Sequence, residues 1–540
     1  MGKKKLTSII AVILLAIIIF FVSWSNSRNG FNSGTFKLAI YNFSDLNPVT
    51  AQTRNEWNIF YLTQSQLVRF YGDKIDYDAA DSFQTNDDYT KYTFHIREGL
   101  KWSNGDTLDA NDFLYGVYTM MSPDIASPRA GSFTEIKNAS NFASGKITDF
   151  NEVGVKVLDN QTIEFTLEYP ITDFEKSIAS KHIYPINKNF YESVGAQSYG
   201  SNIESLLCSG PYVISEWQLG SNLSLVKNLD YWDANDNFWV ETIELIPVEN
   251  GSTAVMMYEN DEVDAIMNLD NEYYASFNDE MEDGYSGKVK VLWLNGYGKN
   301  EKVAKLFANR NFRQAINSAI NRQEIVDLID SADIPMNRAI APIFEVNYEP
   351  STISVTGDEE LAQEYLDKAL KELGYKNASE LPKIRFVTYA DDSQKTECEL
   401  LIETWRKVLG IKNIELESYN VGTAIDKLFT GDYDIFSIQI ESNVRPTDLM
   451  ESLSKDNVYD FGILKNDTFD SLIKNAIKAT DDKEKEELTK EAEQEFLDDG
   501  TILPLYFDVF RSAVKKYVSG YKLGFIDGFE FQKLRINKSE

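Results

Sequence analysis

The sequence predicts an α/β protein with mixed sheets flanked by helices and an N-terminal membrane helix. Three observations favour this class: an uncharged apolar run near the N-terminus, alternation of apolar and polar residues in the first half, and a regular succession of strands and helices after residue 382. The length of 540 residues corresponds to about three or four domain-sized units.

The N-terminal segment, residues 1–30, carries a membrane-targeting signal. Three lysines at positions 3–5 precede an uncharged, apolar-rich run over residues 6–24. In a helix at about 1.5 Å per residue, this run comes close to the ~30 Å hydrocarbon core of a bilayer. It therefore indicates a retained transmembrane anchor or a cleaved signal peptide, with the lysines cytoplasmic and the rest of the chain outside the cytoplasm.

Strands of the first half are predicted from alternation of apolar and polar residues, since successive side chains of a strand point to opposite faces. The segments with this pattern are Thr162–Leu167, Tyr212–Ile214, Leu223–Val226 and Ile243–Ile246.

The region after residue 382 alternates between strand and helix patterns. We predict strands over Ile384–Tyr389, Ile414–Tyr419 and Tyr433–Ile440, and helices over Thr396–Leu409 and Gly422–Phe429. This order predicts a parallel sheet covered by helices. Before it, a helix over Glu359–Leu373 would place Leu361, Tyr365, Leu366, Ala369 and Leu373 on one core-facing side.

Composition excludes several classes of function. The chain has 53 basic and 85 acidic residues, a net charge of −32 that would repel nucleic acid. Cys208 and Cys398 are the only cysteines and neither lies in a CxxC pair, and His95 and His182 are the only histidines, so the sequence offers no cysteine or histidine cluster for a metal. We expect no metal and no cofactor. One disulfide between the two cysteines or two free thiols both stay open.

Catalytic motifs are missing as well. The sequence contains no GxSxG, no GxxxxGK[ST], no HExxH and no GxGxxG after a predicted strand. Close acidic pairs are expected by chance among 85 carboxylates, so they do not indicate a glycosidase. The sequence therefore does not predict an enzyme.

A set of segments in a fixed order carries a family resemblance. These segments are Tyr92–Asp106, Leu108–Phe113, Ser209–Tyr212, Glu216–Trp217, Lys227–Trp232, Met257–Asp264, Phe312–Val326, Phe469–Ile473 and Leu503–Tyr506. Together they resemble the motifs of extracellular solute-binding proteins of the oligopeptide/dipeptide-binding type, solute-binding protein family 5, which serve ABC importers. The resemblance covers residues 36–540.

The resemblance implies a two-lobed periplasmic-binding-protein-like fold with an extra domain. The implied division is domain I over residues 36–75, 205–295 and 508–540, domain II over 76–204, and domain III, the second lobe, over 296–507. Ligand would be enclosed between lobes that close by hinge motion.

The implied function is extracellular binding of peptides or peptide-like solutes for delivery to an ABC-type permease. The implied partners are the ligand, the permease and, through an uncleaved N-terminal helix, the membrane; the protein would be a monomer. Many relatives carry a lipid-modified cysteine after the apolar run, and this chain has none before Cys208. Anchoring by residues 6–24, or release into a periplasm or medium, is expected instead.

Two candidate ligand-binding residues follow from the resemblance around the ligand's amine. Glu56 lies in a segment similar to the family's "ESN", whose glutamate lines the cleft; alternatively it is a solvated carboxylate at a helix start. Asn443 falls where the family places the aspartate that pairs with the peptide's α-amine. Glu441, two positions away on the same face of an extended segment, could replace that carboxylate. Alternatively, the ligand lacks a free amine.

Two further candidates lie elsewhere in the chain. Arg129 stands where relatives often have a cleft-lining aromatic residue, and it would attract a carboxylate; alternatively it is a surface arginine. Tyr506 lines the cleft or packs in the core.

Three other functions stay open beside delivery to a permease. A receptor for a signalling peptide on the same fold would close on ligand without supporting uptake, and the altered loop at Asn443 favours it. A secreted hydrolase would turn over peptides. An adhesion or scaffold protein would show no closure on ligand.

Overall fold

The computed structural model describes residues 34–538 except 42, 44–45, 52, 72–73, 278, 330, 351–352, 443, 456, 458–461 and 525–527. The apolar run over residues 6–24, and with it the predicted membrane helix, lies outside the described residues. Among the residues that are described, no helix combines the length and the apolar character needed to cross a membrane.

The strands of the described chain belong to five sheets. They are β1 (Thr35–Tyr41), β2 (Val68–Tyr71), β3 (Lys74–Tyr77), β4 (Ala80–Thr85), β5 (Lys91–Ile96), β6 (Val155–Asp159), β7 (Thr162–Thr166), β8 (Tyr212–Gln218), β9 (Asn222–Lys227), β10 (Thr242–Val248), β11 (Ala265–Ile266), β12 (Met281–Leu294), β13 (Ile334–Pro335), β14 (Ile384–Tyr389), β15 (Ile414–Tyr419), β16 (Ile435–Glu441), β17 (Ile502–Val514), β18 (Val518–Ser519), β19 (Lys522–Gly524), β20 (Gly528–Glu530) and β21 (Arg535–Ile536).

Helices flank these sheets. They are α1 (Arg54–Thr63), α2 (Ala110–Met121), α3 (Ala139–Ala143), α4 (Phe174–Ser180), α5 (Lys188–Val194), α6 (Gly251–Glu259), α7 (Glu301–Ala308), α8 (Arg310–Ser318), α9 (Arg322–Leu328), α10 (Glu359–Leu373), α11 (Asp392–Leu409), α12 (Val421–Phe429), α13 (Asp448–Leu453), α14 (Asp467–Lys478) and α15 (Asp482–Asp499). Short 3₁₀ turns lie at Ala130–Phe133, Phe150–Glu152, Ile203–Ser205, Asn271–Ser276 and Ala378–Glu380.

The largest sheet has eleven strands and mixed pairing. Its order is β15-β14-β16-β12-β17-β11-β1-β10-β9-β8, and β13 pairs with β17 off this path. β1 runs parallel to β10 and β11, and β14 runs parallel to β15 and β16, while β12 and β17 are antiparallel to each other. A separate antiparallel sheet has the order β4-β5-β7-β6. The predicted α/β class with mixed sheets is confirmed.

The buried apolar side chains divide the chain into two lobes. Two hydrophobic clusters draw their buried members from residues 36–277 and 513–536, and we call this part the first lobe. Two others draw theirs from residues 289–509, the second lobe. The finer division into domains I, II and III stays a prediction.

The long strands β12 and β17 join the two lobes. Their register shifts between Tyr285 and Val289, so that residues 286–288 form a bulge opposite the stretch from Phe507 to Val509. Gly287 has a φ of +68° there, a conformation that costs glycine little because it has no Cβ. The bulge is the point at which the shared sheet passes from one lobe to the other.

The predicted β-α-β-α-β segment is confirmed in the second lobe. Each of its three strands starts within two residues of the predicted start, and β14 pairs in parallel with both neighbours. Helix α10 also has the predicted bounds, but its buried residues are Ala362, Leu366, Ala369 and Leu370. The core-facing side is therefore rotated slightly from the prediction, because the helix packs on α8 as well as on α11. Cys208 and Cys398 are both buried free thiols.

Candidate functional site

The part of the eleven-stranded sheet that lies in the second lobe has one edge that faces the first lobe. Because β14, β15 and β16 are parallel, their carboxyl ends at Tyr389, Tyr419 and Glu441 lie on the same edge. In open α/β sheets this is the edge at which ligands bind. Directly beyond it, Val444 packs against the largest hydrophobic cluster of the first lobe.

Two segments from opposite lobes reach the bulge of β12. Arg54, the first residue of α1, donates a hydrogen bond from Nη2 to the carbonyl of Ser286 at 3.1 Å. Ser442, directly after β16, donates its backbone N–H to the carbonyl of Gly287 at 2.7 Å. The start of α1 and the end of β16 therefore lie beside the same three residues, at the junction of the lobes.

Glu56 stands in the first turn of α1 and is 5% exposed. Its Oε2 accepts the backbone N–H of Thr53 at 3.0 Å, and its own N–H donates to Thr53 Oγ1 at 3.4 Å. This reciprocal pair is a capping box, which satisfies two backbone donors that a helix start leaves free. The carboxylate is thus at a helix start, as one alternative expected, but it is buried rather than solvated.

Glu441 is the last residue of β16 and is exposed. It pairs in register with Lys288 of the β12 bulge. The carboxylate of Glu441 is therefore exposed to solvent at the sheet edge that faces the first lobe. Asn443, the position expected to meet a peptide's α-amine, lies outside the described residues.

Arg129 is buried and bonded to backbone carbonyls. Its guanidinium donates to the carbonyl of Pro48 at 2.9 Å, to that of His182 at 3.2 Å, and to that of Lys181. These bonds tie the loop before α1 to the end of α4, so Arg129 is not the surface arginine of the alternative. Its part in ligand binding stays a prediction.

Tyr506 lies in a buried polar cluster on the second-lobe sheet. Its hydroxyl donates to Glu397 Oε2 at 2.8 Å, and Ser437 Oγ donates to Glu397 Oε1 at 3.4 Å. Lys290 Nζ is 3.8 Å from Glu397 Oε2 and also bonds Gln394. Burial, and then the charge of Glu397, raises the pKa of Tyr506, which therefore stays a neutral donor.

Two more carboxylates, Asp333 and Asp508, lie next to this cluster, opposite the bulge. Asp508 Oδ1 accepts from Gln439 Nε2 at 3.0 Å, and Asp333 Oδ1 accepts the backbone N–H of Val509 at 2.8 Å. Burial first, and then the charge of Asp508, raises the pKa of Asp333 to about 7.

A cavity of about 530 Å³ opens beside the contact between the lobes. Its first-lobe wall is Tyr169, and its second-lobe wall holds carboxylate, ammonium and amide groups from α13, α14 and the loop between them: Glu451, Ser454, Lys455, Asn457, Asp467, Asp470, Ser471, Lys474, Ile477 and Lys478. Such a lining can hydrogen-bond a polar ligand. No set of three or more metal-ligating side chains is grouped within the described ranges.

Sequence reasoning missed most of these buried polar residues. Lys290 carried a usable signal, because it is a lone cation in the apolar strand sequence VKVLWL, where burial demands a partner. Glu397, Asp333 and Asp508 carried none, since they stand far from Lys290 in the chain and their proximity arises from the fold.

Comparison with known proteins gives one family and one fold. The family model described as "Bacterial extracellular solute-binding proteins, family 5 Middle" matches residues 74–458. The oligopeptide-binding protein OppA of Bacillus subtilis is 30% identical over 437 residues, which cover 79% of this chain and 78% of that protein.

Solved structures share the fold at lower identity. The Haemophilus influenzae OppA complex with the peptide RPPGFSPFR has a TM-score of 0.75 at 21% identity and covers 94% of this chain and 100% of its own. A structure of the pheromone receptor PrgZ has a TM-score of 0.74 at 22% identity and covers 93% of this chain and 99% of its own. The two-lobed architecture is therefore that of a known group of binding proteins.

Proposed function

Because the chain belongs to the bacterial extracellular solute-binding proteins of family 5, we propose that it binds peptides or peptide-like solutes between its lobes and delivers them to an ABC-type permease. Homologous oligopeptide-binding proteins support the ligand class. The site is outside the cytoplasm, on a protein held at the membrane by residues 6–24 or released by cleavage after them. The ligand, the permease and the membrane are its partners, and it acts as a monomer.

The observation that carries this proposal is the convergence of α1 and β16 on the β12 bulge. A peptide lying there would meet backbone groups from both lobes, and main-chain hydrogen bonds accept varied side chains. Movement about the bulge would then bring the lobes together over the ligand. The changed distance between the lobes is the signal that a permease can read.

The candidate carboxylates would receive the ligand's amine. Glu441 is exposed at the sheet edge and Glu56 lies at the start of α1, so they approach the junction from opposite lobes. Asn443 offers no charge to an ammonium group, which makes a nearby carboxylate necessary. Arg129 and Tyr506 complete the proposed set of binding residues.

A receptor for a signalling peptide is the second candidate function. The loop over residues 439–446 departs from the family pattern, with no Trp and with Asn443 in place of the aspartate. A fold shared with the pheromone receptor PrgZ is compatible with such a role. A receptor would bind one peptide or a few, whereas a carrier for uptake would bind many. We do not propose catalysis.

Native mass spectrometry of the purified region after residue 30, followed by denaturation and sequencing of released molecules, tests the proposal. Bound peptides of many sequences support the carrier, and a single sequence supports the receptor. Thermal stability should rise with a mixed peptide library, because a ligand that binds only the folded state stabilises it. Empty protein that also gains no stability contradicts both functions, and cleaved library peptides would indicate a hydrolase.

The site assignment has its own test. Glu56→Gln and Glu441→Gln should each weaken binding of a peptide with a free N-terminal amine by about tenfold or more, because a charge-assisted contact is lost. Gln can still close the capping box at position 56, so the helix start is kept. Glu415→Gln, an exposed strand glutamate paired with Lys383, is the matched control and should bind normally. Unchanged affinity in both test variants would refute the assignment.

A further inference from the structure

The lobes also touch through a buried group of charges that includes Arg445, three residues after the Ser442 contact with the β12 bulge. Glu135 and Lys181 of the first lobe form an ion pair, and Arg445 of the second lobe lies 4.0 Å from Glu135. Arg445 also pairs with Glu451 at 3.0 Å and with Asp448 at 3.2 Å. Arg445 and Glu135 are both less than 9% exposed, so the contact is shielded from water.

Neighbouring contacts extend along the same boundary between residues 129–181 and 444–485. Lys485 Nζ donates to Thr172 Oγ1 at 3.0 Å. The ammonium of Lys478 lies 5.7 Å from the ring centroid of Tyr169. Val444, beside Arg445, packs against the first-lobe core. Several separate contacts therefore connect the two lobes along this boundary.

Charge makes Arg445 the residue on which this boundary depends. Carboxylates face it from both lobes: Glu451 and Asp448 from α13, and Asp173 and Glu135 from the first lobe. Lys181 is the cation that the first lobe adds. Without Arg445, these four carboxylates would lose the cation that they share, and like charges close together in a partly buried space repel strongly.

The pKa shifts agree with this geometry. Burial alone would raise the pKa of Glu135, but Lys181 and Arg445 lower it below its usual range. Burial raises the pKa of Glu451, and Asp448 and Glu135 add to that rise while Arg445 opposes it. Arg445 thus favours the charged form of both carboxylates.

We propose that Arg445, through Glu135 and Lys181, is a latch that holds the two lobes together in the absence of ligand. It rests on the proposed function, since a latch matters to a protein that closes on ligand. Contacts within the protein then supply part of the free energy that stabilises the closed form, and ligand binding supplies the remainder. Breaking the latch would shift the empty protein toward an open form and weaken capture of every ligand alike.

Crosslinking of ligand-free protein tests the latch. Thr172→Cys and Lys485→Cys place two thiols across the boundary, and the native cysteines are buried. A short bis-maleimide should join them in the otherwise unchanged chain. Adding Arg445→Gln should slow the crosslinking rate by about tenfold, and Glu135→Gln should slow it in the same direction. Small-angle X-ray scattering of the same variants without the new cysteines should show a larger radius of gyration.

The matched control is Arg385→Gln. Arg385 also pairs with two carboxylates, Glu417 at 2.9 Å and Asp432 at 2.8 Å, but all three lie within the second lobe. The crosslinking rate of the two-cysteine protein that carries Arg385→Gln should stay unchanged. An equal rate in Arg445→Gln, Glu135→Gln and the unchanged background would overturn the latch, as would an equal slowing in the Arg385→Gln control. Because no ligand is present, failure of peptide binding leaves this result untouched.

Discussion

Asp78 shows at the residue scale how the family-like motifs serve the fold. Its carboxylate is fully buried and accepts from Arg69 Nε at 3.0 Å, Tyr231 hydroxyl at 2.7 Å and Trp232 Nε1 at 3.2 Å. The guanidinium of Arg97 stacks on the Trp232 ring at 3.6 Å. Arg97 also donates from Nε to the backbone carbonyl of Asp78 at 2.7 Å. The motifs that contain Arg97 and Tyr231 thus meet at Asp78, and their sequence pattern records packing rather than ligand binding.

Asp78→Ala should destabilise the protein by about 3–5 kcal/mol, because it leaves the buried charge of Arg69 without a carboxylate partner. Urea unfolding at pH 7 measures the change. The control is Asp230→Ala, whose exposed pair with Lys101 at 3.3 Å should contribute less than about 1 kcal/mol. A similar cost in both variants would show that Asp78 is not the centre of this network.

Asp333, again a single residue, should make the stability of the folded protein depend on pH. Its folded pKa of about 7 lies above the unfolded value, so the stability it contributes is present at acid pH and lost as pH rises toward 7. Asp333→Asn keeps an oxygen for the Val509 N–H and removes the charge. The variant should therefore equal the wild type near pH 4 and be more stable at pH 8 by about 1–3 kcal/mol.

Denaturant unfolding across that range measures the difference. Asp508→Asn should lower the pKa of Asp333, since it removes the neighbouring like charge. The pH-dependent loss would then move to lower pH. A stability difference that does not change with pH would contradict the raised pKa.

The bulge of β12 is the feature of interest at the element scale. Gly287 adopts a φ of +68° where the sheet passes between lobes. An added Cβ is disfavoured in that conformation, so Gly287→Ala should destabilise by about 1–2 kcal/mol. Gly422→Ala is the matched control, because Gly422 lies in the first turn of helix α12, where an added Cβ would meet only Asn420 Oδ1 at an ordinary contact distance of 3.7 Å.

That control should have the opposite sign. Alanine is favoured over glycine inside a helix by about 0.5–1 kcal/mol, so Gly422→Ala should raise the midpoint of thermal unfolding. Scanning calorimetry measures the midpoint of thermal unfolding of both variants. If Gly287→Ala also stabilises the protein, the left-handed conformation at the bulge does not exist in solution.

Net charge sets an expectation for the whole molecule. A charge of −32 repels itself across both lobes, and salt screens exposed charges while leaving buried pairs such as that of Arg445 less affected. The midpoint of thermal unfolding should therefore rise as sodium chloride increases from about 0.02 to 0.3 M at constant pH. A falling midpoint would show that attraction within ion pairs outweighs repulsion by the net charge.

The sequence by itself determined the α/β class, the second-lobe strand and helix order, and the family. These three conclusions depend on local periodicity and on motif order, and neither requires knowledge of tertiary contacts. It also gave Glu441 and Glu56 as candidates, although periodicity could not reveal that Glu56 is buried in a capping box.

Only the tertiary structure decided which distant residues share a surface. Arg445 meets Glu135 across 310 positions of chain, and Tyr506 meets Glu397 across 109. The bulge at Gly287 likewise became visible only when β12 and β17 were paired. Contacts of this kind depend on how the lobes pack, and no local pattern of residues encodes a distance between segments so far apart.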